Sequence, residues 1–251
     1  MKLNCDMGES FGCWVMGNDA EVMPYVDMAN IACGFHASDP DQMVATIRLA
    51  KQHRVAIGAH PGYDDKQGFG RRSIPHNDDA ITHLVAYQIG AIEALCRLES
   101  TQIAYVKPHG ALYNDMMADE SVYRAILRAV AALNCQRAEP LALMVLARRD
   151  NRYYQALAMA AGVGLLFEGF ADRAYDAEGL LVSRAKPGAV YHDAQRIIHQ
   201  VSELAGGRLT AVDGSELSLQ VDSICVHGDN EQSIAIVRQL AQVVRGDSGD
   251  D

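Results

Sequence analysis

The chain carries neither of the standard phosphate-cradling loops. Nothing in it reads GxxxxGK[ST], and no GxGxxG opens a helix after an apolar strand, so a reaction that consumes ATP finds no ordinary nucleotide site here. No HExxH or other close histidine pair occurs, which removes the helical metalloprotease pattern. The six cysteines (Cys5, Cys13, Cys33, Cys96, Cys135 and Cys225) form no CxxC pair and are irregularly spaced; they read as reduced, structural thiols. Positive charge is scarce. With 22 Lys and Arg against 32 Asp and Glu, the formal charge is -10, which disfavours nucleic acid and anionic membranes as partners because both are polyanions. No apolar run approaches the ~18 residues of a membrane span, and the opening MKLNCDMGE has no apolar signal-like core. The expected location is the cytoplasm.

Short apolar runs alternating with amphipathic ones dominate the rest. Strands are expected to end at Asp6, within "MANIACGFH", at Val55–Ala59, Ile103–Lys107, Leu141–Ala147, Gly164–Phe170 and Ser223–Val226. Helices are expected near 18–25, after Asp39-Pro40-Asp41-Gln42, over 79–98, 120–133, 153–161, 189–204 and 231–244. The Asp39 segment has an N-cap residue, proline at N1 and Gln42 placed for a capping box. A hairpin is expected around Asp213-Gly214. Seven βα units without a linker predict an α/β fold, a seven-stranded parallel (β/α) barrel. It forms one domain over 1–245, followed by a flexible acidic tail, 246–251.

Polar residues cluster where these strands end, and a parallel barrel gathers its active site at that rim. Residues two apart on a strand share a face, which pairs Asn4 with Asp6, Asn30 with His36, Gly58 with His60, Tyr105 with Lys107 and His109, and His227 with Asp229. Gly34 and Gly58 are read as room for a ligand. Asp6 and Glu9 suit proton transfer, metal binding or orientation of a histidine, or merely a cap or loop ion pair. A lone histidine is more often a packing residue, but His36, His60, His109 and His227 come from four different strand ends. Asp6, His36 and His60 have the chemistry of divalent-metal ligands, though no close spacing supports a site. Lys107 at a strand end can hold an anionic oxygen or snorkel to solvent. Arg71, Arg72 and Arg173 can grip carboxylate or phosphate, or form surface pairs. Glu168 and Asp172 complete the set.

The blocks "LNCDMGESFG", "ANIACGFHASDP", "IGAHPGYDDKQGFGRR", "YVKPHGALYN", "EGFADRAYDAEGLLVSR" and "ICVHGD", in this order along nearly the whole chain, resemble the LamB/YcsF family of 5-oxoprolinase A subunits. The resemblance implies a barrel similar to the glycoside hydrolase/deacetylase superfamily. It also implies hydrolysis of 5-oxo-L-proline to L-glutamate with ATP as co-substrate, together with partner subunits B and C. On that basis Asp6, His60, Lys107, His109 and Glu168 are the expected catalytic residues. Asp6 with His60 or His109 would be the general base, and Lys107 and Arg72 would hold anionic oxygens. Glu9, Asn30, His36, Arg72, Asp172, Arg173, His227 and Asp229 are the expected substrate-binding residues. The ATP site would lie on or be shared with the partners. Two alternatives remain open: a metal-dependent deacetylase or amidohydrolase of the same barrel type, and a non-catalytic substrate-binding subunit. Homo-oligomerisation is open as well. One departure is Ser38, where the family pattern has glycine; serine is tolerable unless the position needs a positive φ. Residues 137–152 carry little of the resemblance.

Overall fold

The computed structural model describes residues 1–184, 186–228 and 231–245. Seven parallel strands close into a barrel in the order β1 (Lys2–Met7), β2 (Met28–Ala32), β3 (Ala56–His60), β4 (Ile103–Val106), β5 (Ala142–Leu146), β6 (Gly164–Phe170) and β9 (Ser223–Val226), the last pairing back with β1. The expected hairpin is a separate two-stranded sheet of β7 (Arg208–Thr210) and β8 (Glu216–Ser218). Around the barrel run α1 (Asp19–Val22), α2 (Pro40–His53), α3 (Asp78–Leu98), α4 (Gly110–Ala118), α5 (Glu120–Asn134), α6 (Arg152–Ala160), α7 (Ala194–Ala205) and α8 (Glu231–Arg245). None of these helices is long and apolar enough to cross a membrane.

The helices start where their caps allow. Asp39, Asn77, Asp119 and Asp193 each accept a backbone N–H of the first turn of α2, α3, α5 and α7, satisfying donors that have no partner within the helix. The capping box of α2 is half formed. Asp39 takes the Gln42 N–H at 2.9 Å, but the Gln42 amide turns to Thr46 Oγ1 instead of reaching back. Helix α4, hidden in "HGALYND", was not expected; it begins immediately after His109 and so fixes that residue at its N-cap. Strand β2 is shorter than expected and stops at Ala32, which leaves His36 in the following loop rather than on the face of Asn30.

Strand parity divides the core. Leu3, Cys5, Ala29, Ile31, Ile57, Ala59 and Val106 point outward into the main apolar layer under the helices. The alternate residues fill the lumen in tiers. The lowest tier is an apolar plug of Met28, Tyr105 and Met144, backed by Ala56, Ala142 and Leu166. Asn4, Asn30, Lys107, Glu168 and Cys225 form a buried polar tier, with Asp6, His60 and His109 at its upper edge. Gly58 does not make room for a ligand, as expected, but for Tyr105: a methyl at position 58 would overlap the phenol ring, whose hydroxyl donates to Asn30 Oδ1 at 2.6 Å.

The loop after β1 forms an apolar lip, where Phe11 and Trp14 bridge and Trp14 and Val15 stand 61% and 87% exposed. In the loop after β2, Ser38 is fully buried with φ 73°, so the position does need the left-handed region. Ser38→Gly should relieve the ~1–2 kcal/mol that region costs an L-residue, minus the ~0.4–1 kcal/mol by which glycine loosens the unfolded chain. The expected outcome is a net gain of about 0.5–1 kcal/mol, measured by urea unfolding.

Candidate active site

The C-terminal mouth of the barrel opens into a cavity of about 590 Å³. Of the residues singled out in the sequence, Asp6, Glu9, His60, Arg71, Lys107, His109, Arg173 and His227 line it, joined by Arg184 and Tyr113. They arrive from β1 and β3, from the loops that follow β1, β3, β4, β6 and β9, and, for Tyr113, from α4, as the rim of a parallel barrel requires.

Lys107 is the hub. Its ammonium lies 2.9 Å from Asp6 Oδ1, 2.7 Å from Glu168 Oε1, 3.2 Å from Asn4 Oδ1 and 3.3 Å from Cys225 Sγ, with the Phe170 ring at 5.7 Å. Burial alone would push its pKa down, but Asp6 and its other acidic neighbours outweigh that and hold it well above the ordinary lysine value. Asp6 is the mirror case: burial raises its carboxyl, and His60 and Lys107 hold it well below the usual range. Asn30 adds a second grip, its amide donating to Asp6 Oδ1 and Asn4 Oδ1 at 2.8 Å each. Asp6 is therefore an ionised carboxylate fixed through one oxygen, with Oδ2 directed at His60 Nε2, 3.4 Å away.

Three imidazoles pack beside it. His60 Nδ1 donates to the Lys107 carbonyl at 2.6 Å, and His109 Nε2 donates to the Phe69 carbonyl at 2.9 Å. A carbonyl can only accept, so each of these two nitrogens carries a hydrogen. The remaining nitrogens, His60 Nε2 and His109 Nδ1, face each other at 3.0 Å. His36 lies flat on His109, with centroids 3.7 Å apart, and neither of its buried nitrogens makes a hydrogen bond among the described residues. Glu9 Oε1 sits 3.4 Å from His36 Nε2 and 3.5 Å from His109 Nδ1. Burial, reinforced by neighbouring imidazoles, depresses the pKa of His36 and His109 well below the ordinary value. Two glycines make this packing feasible. A Cβ at Gly62 would come within 2.7 Å of His36 Nδ1, and one at Gly70 within 2.8 Å of His109 Cδ2.

The other expected residues take different places. Arg72, expected to hold anionic oxygens, turns outward with a 64% exposed side chain and is clasped by Asp65, its Nε 3.0 Å from Oδ2; its neighbour Arg71 faces the cavity instead. Lys107 lines the cavity, yet its ammonium is already surrounded by four acceptors, so it positions Asp6 rather than standing free for a substrate oxygen. Glu168 is wholly buried beneath it as a counter-charge. Asn30 and His36 lie behind the lining residues. Arg173 braces the loop after β6 by donating to the carbonyls of Ala189 and Val182. His227 Nδ1 pairs with Asp172 at 2.9 Å. Asp229 and the acidic tail, 246–251, lie outside the described residues. The residues not singled out beforehand are Arg184, at the mouth, and Tyr113, whose hydroxyl pKa is raised by burial and by Glu168. Cys225, read as a plain core residue, borders Lys107.

The family model for the LamB/YcsF family matches residues 1–249. The chain belongs to the LamB/YcsF family. Among its relatives, a Vibrio parahaemolyticus protein that bears the name of the 5-oxoprolinase A subunit is 54% identical over 243 residues, covering 96% of this chain and 94% of that one. A Pseudomonas putida protein, named as the second 5-oxoprolinase A subunit of that organism, is 56% identical, covering 98% and 94%. A lactam utilization protein from Thermus thermophilus superposes with a TM-score of 0.89 at 36% identity, covering 98% of this chain and 96% of that one. The LamB/YcsF blocks that suggested the family are the ones that build the mouth of the barrel.

Two measurements follow from this charge arrangement. His36 and His109 stay neutral in the native state while the unfolded chain takes up protons near pH 6.5, so unfolding binds protons and stability falls as the pH drops below that value. Each histidine adds a slope of up to ~1.4 kcal/mol per pH unit. The loss contributed by Asp6 begins lower, below the ordinary carboxylate range near ~3.9. Urea midpoints measured against pH in EDTA buffer should show the first slope, and His36→Asn should flatten it. Second, Lys107→Met leaves Glu168 and Asp6 without their cation and should cost ~3–5 kcal/mol. Adding Glu168→Gln should recover part of that loss in a double-mutant cycle.

Proposed function

We propose that the chain is the A subunit of a 5-oxoprolinase: a cytoplasmic, single-domain (β/α) barrel over residues 1–245 that opens the ring of 5-oxo-L-proline, with ATP as co-substrate, in concert with partner subunits B and C. The names borne by relatives more than half identical support the reaction. The observation that carries it is the convergence of Asp6, His60 and His109 on one cavity, an ionised carboxylate against two imidazoles that are each held by a backbone carbonyl.

The substrate is a five-membered lactam whose amide resonance resists attack by water. Transfer of the terminal phosphoryl group of ATP to the lactam oxygen turns that oxygen into a leaving group. One water adds to the carbon and the ring C–N bond breaks, giving the acyl phosphate of glutamate; a second water hydrolyses that acyl phosphate, releasing phosphate and leaving glutamate. This chain has no P-loop, so we assign phosphoryl transfer to the partners and the water step to the barrel. Asp6 Oδ2, backed by His60, takes the proton of the water. The cations left facing the cavity, Arg71 and Arg184, hold the carboxylate and phosphoryl oxygens, the work first expected of Lys107 and Arg72. His227, steadied by Asp172, guards the same rim.

In the complex reconstituted with its partners, Asp6→Asn and His109→Ala should each lower turnover by ~10²–10⁴-fold, the range of general acid–base catalysis, with the fold intact by circular dichroism. Turnover unchanged in both variants would remove the assignment.

A further inference from the structure

We infer that Glu9, His60 and His109 form a three-ligand site for a divalent transition ion of the zinc type, with its open position facing the cavity. The inference uses the pocket of the proposed reaction but needs neither the reaction nor the partners.

The observation behind it is a conflict of lone pairs. Backbone carbonyls take one N–H of each ring, His60 Nδ1 at Lys107 and His109 Nε2 at Phe69. That leaves His60 Nε2 and His109 Nδ1 pointed at each other across 3.0 Å, a contact that needs a cation, either a proton or a metal, between them. A shared proton would suffice for two nitrogens. It does not account for Glu9, whose Oε1 comes to 3.5 Å from His109 Nδ1. The donor atoms of Glu9, His60 and His109 lie within 4.8 Å of one another. Tetrahedral bonds of about 2.0–2.2 Å set neighbouring donors roughly 3.3–3.5 Å apart; the His60–His109 and Glu9–His109 gaps of 3.0 and 3.5 Å are already near that spacing, and the Glu9–His60 gap lies within 4.8 Å. The carbonyl acceptors behind both histidines are the outer contacts that fix ring orientation at metal centres. Two imidazoles and one carboxylate are the donor set of a catalytic-type zinc site, and all three residues line the cavity.

His36 belongs to the same cluster but not to the ligand set. Stacked flat on His109 with only 2° between the planes, it cannot aim its lone pair at an ion lying in the plane of His109. It braces Glu9 instead, 3.4 Å from Oε1. Asp6, also expected among the ligands, is held through Oδ1 by Lys107 and Asn30 and flanks the site.

The test is equilibrium dialysis of the EDTA-stripped full-length chain against Zn²⁺, repeated with Co²⁺ and read by visible absorption. The expected result is one ion per chain, with the intense cobalt bands of a site of low coordination number. Glu9→Gln and His109→Asn should each weaken binding more than about a hundredfold, and His36→Asn by about ten- to a hundredfold, as for an outer-sphere partner. The surface variant His199→Asn should leave it unchanged, and circular dichroism checks that every variant is folded. No retained Zn²⁺ or Co²⁺, or retention that Glu9→Gln and His109→Asn leave untouched, would overturn the inference. Because binding is read without ATP, 5-oxoproline or partners, that failure is distinct from a failure of the hydrolysis reading.

Discussion

A single ammonium group near the axis of the barrel organises this site. Lys107 follows β4 and is met by a carboxylate from β1 and another from β6, so one cation ties together strands far apart in sequence. Two carboxylates stripped of water would be costly without it, and a lysine in the same place without them would lose its proton. The trio is stable only as a unit. As a unit it does something a surface ion pair cannot: it holds Asp6 ionised and still, with one oxygen engaged and the other presented to His60. The imidazole cluster then inherits its geometry from backbone carbonyls, which neither titrate nor move. Charge at this mouth is set by the fold's skeleton more than by solvent.

The tiers of the lumen explain why such a group can be buried at all. Parity along each strand sends apolar residues to the helices and the alternate ones inward, and the inward set changes character from floor to mouth. Met28 precedes Asn30, Tyr105 precedes Lys107, Leu166 precedes Glu168, and Ser223 precedes Cys225 and His227. Each strand therefore reads as a short gradient from packing to chemistry. Small residues accommodate the crowding: Gly58 yields to a phenol, and Gly62 and Gly70 yield to the two stacked imidazoles.

Much of this was legible in the sequence. Seven apolar runs with polar ends gave the barrel, and the shared parity of Asn4 with Asp6 and of Tyr105 with Lys107 placed four lumen residues correctly. Less legible was anything decided by three-dimensional competition. Arg71 and Arg72 are chemically alike and adjacent; only the position of Asp65 determines that the second turns away. Lys107 reads as a free cation until Glu168, sixty-one residues on, is seen beneath it. His36 seemed to extend β2, because "NIACGFH" has no strong breaker before its glycine, yet the strand ends at Ala32. Ser38 stands where glycine was expected, and its positive φ shows the backbone demand that made the difference count.

The floor of the barrel has a consequence for traffic. Met28, Tyr105 and Met144 cork the lumen from below, so the vessel is blind-ended rather than a tunnel. Whatever it holds must enter and leave by the same doorway, past the Trp14–Val15 threshold. Arrival and departure therefore have to take turns, and anything seated over that doorway governs both at once.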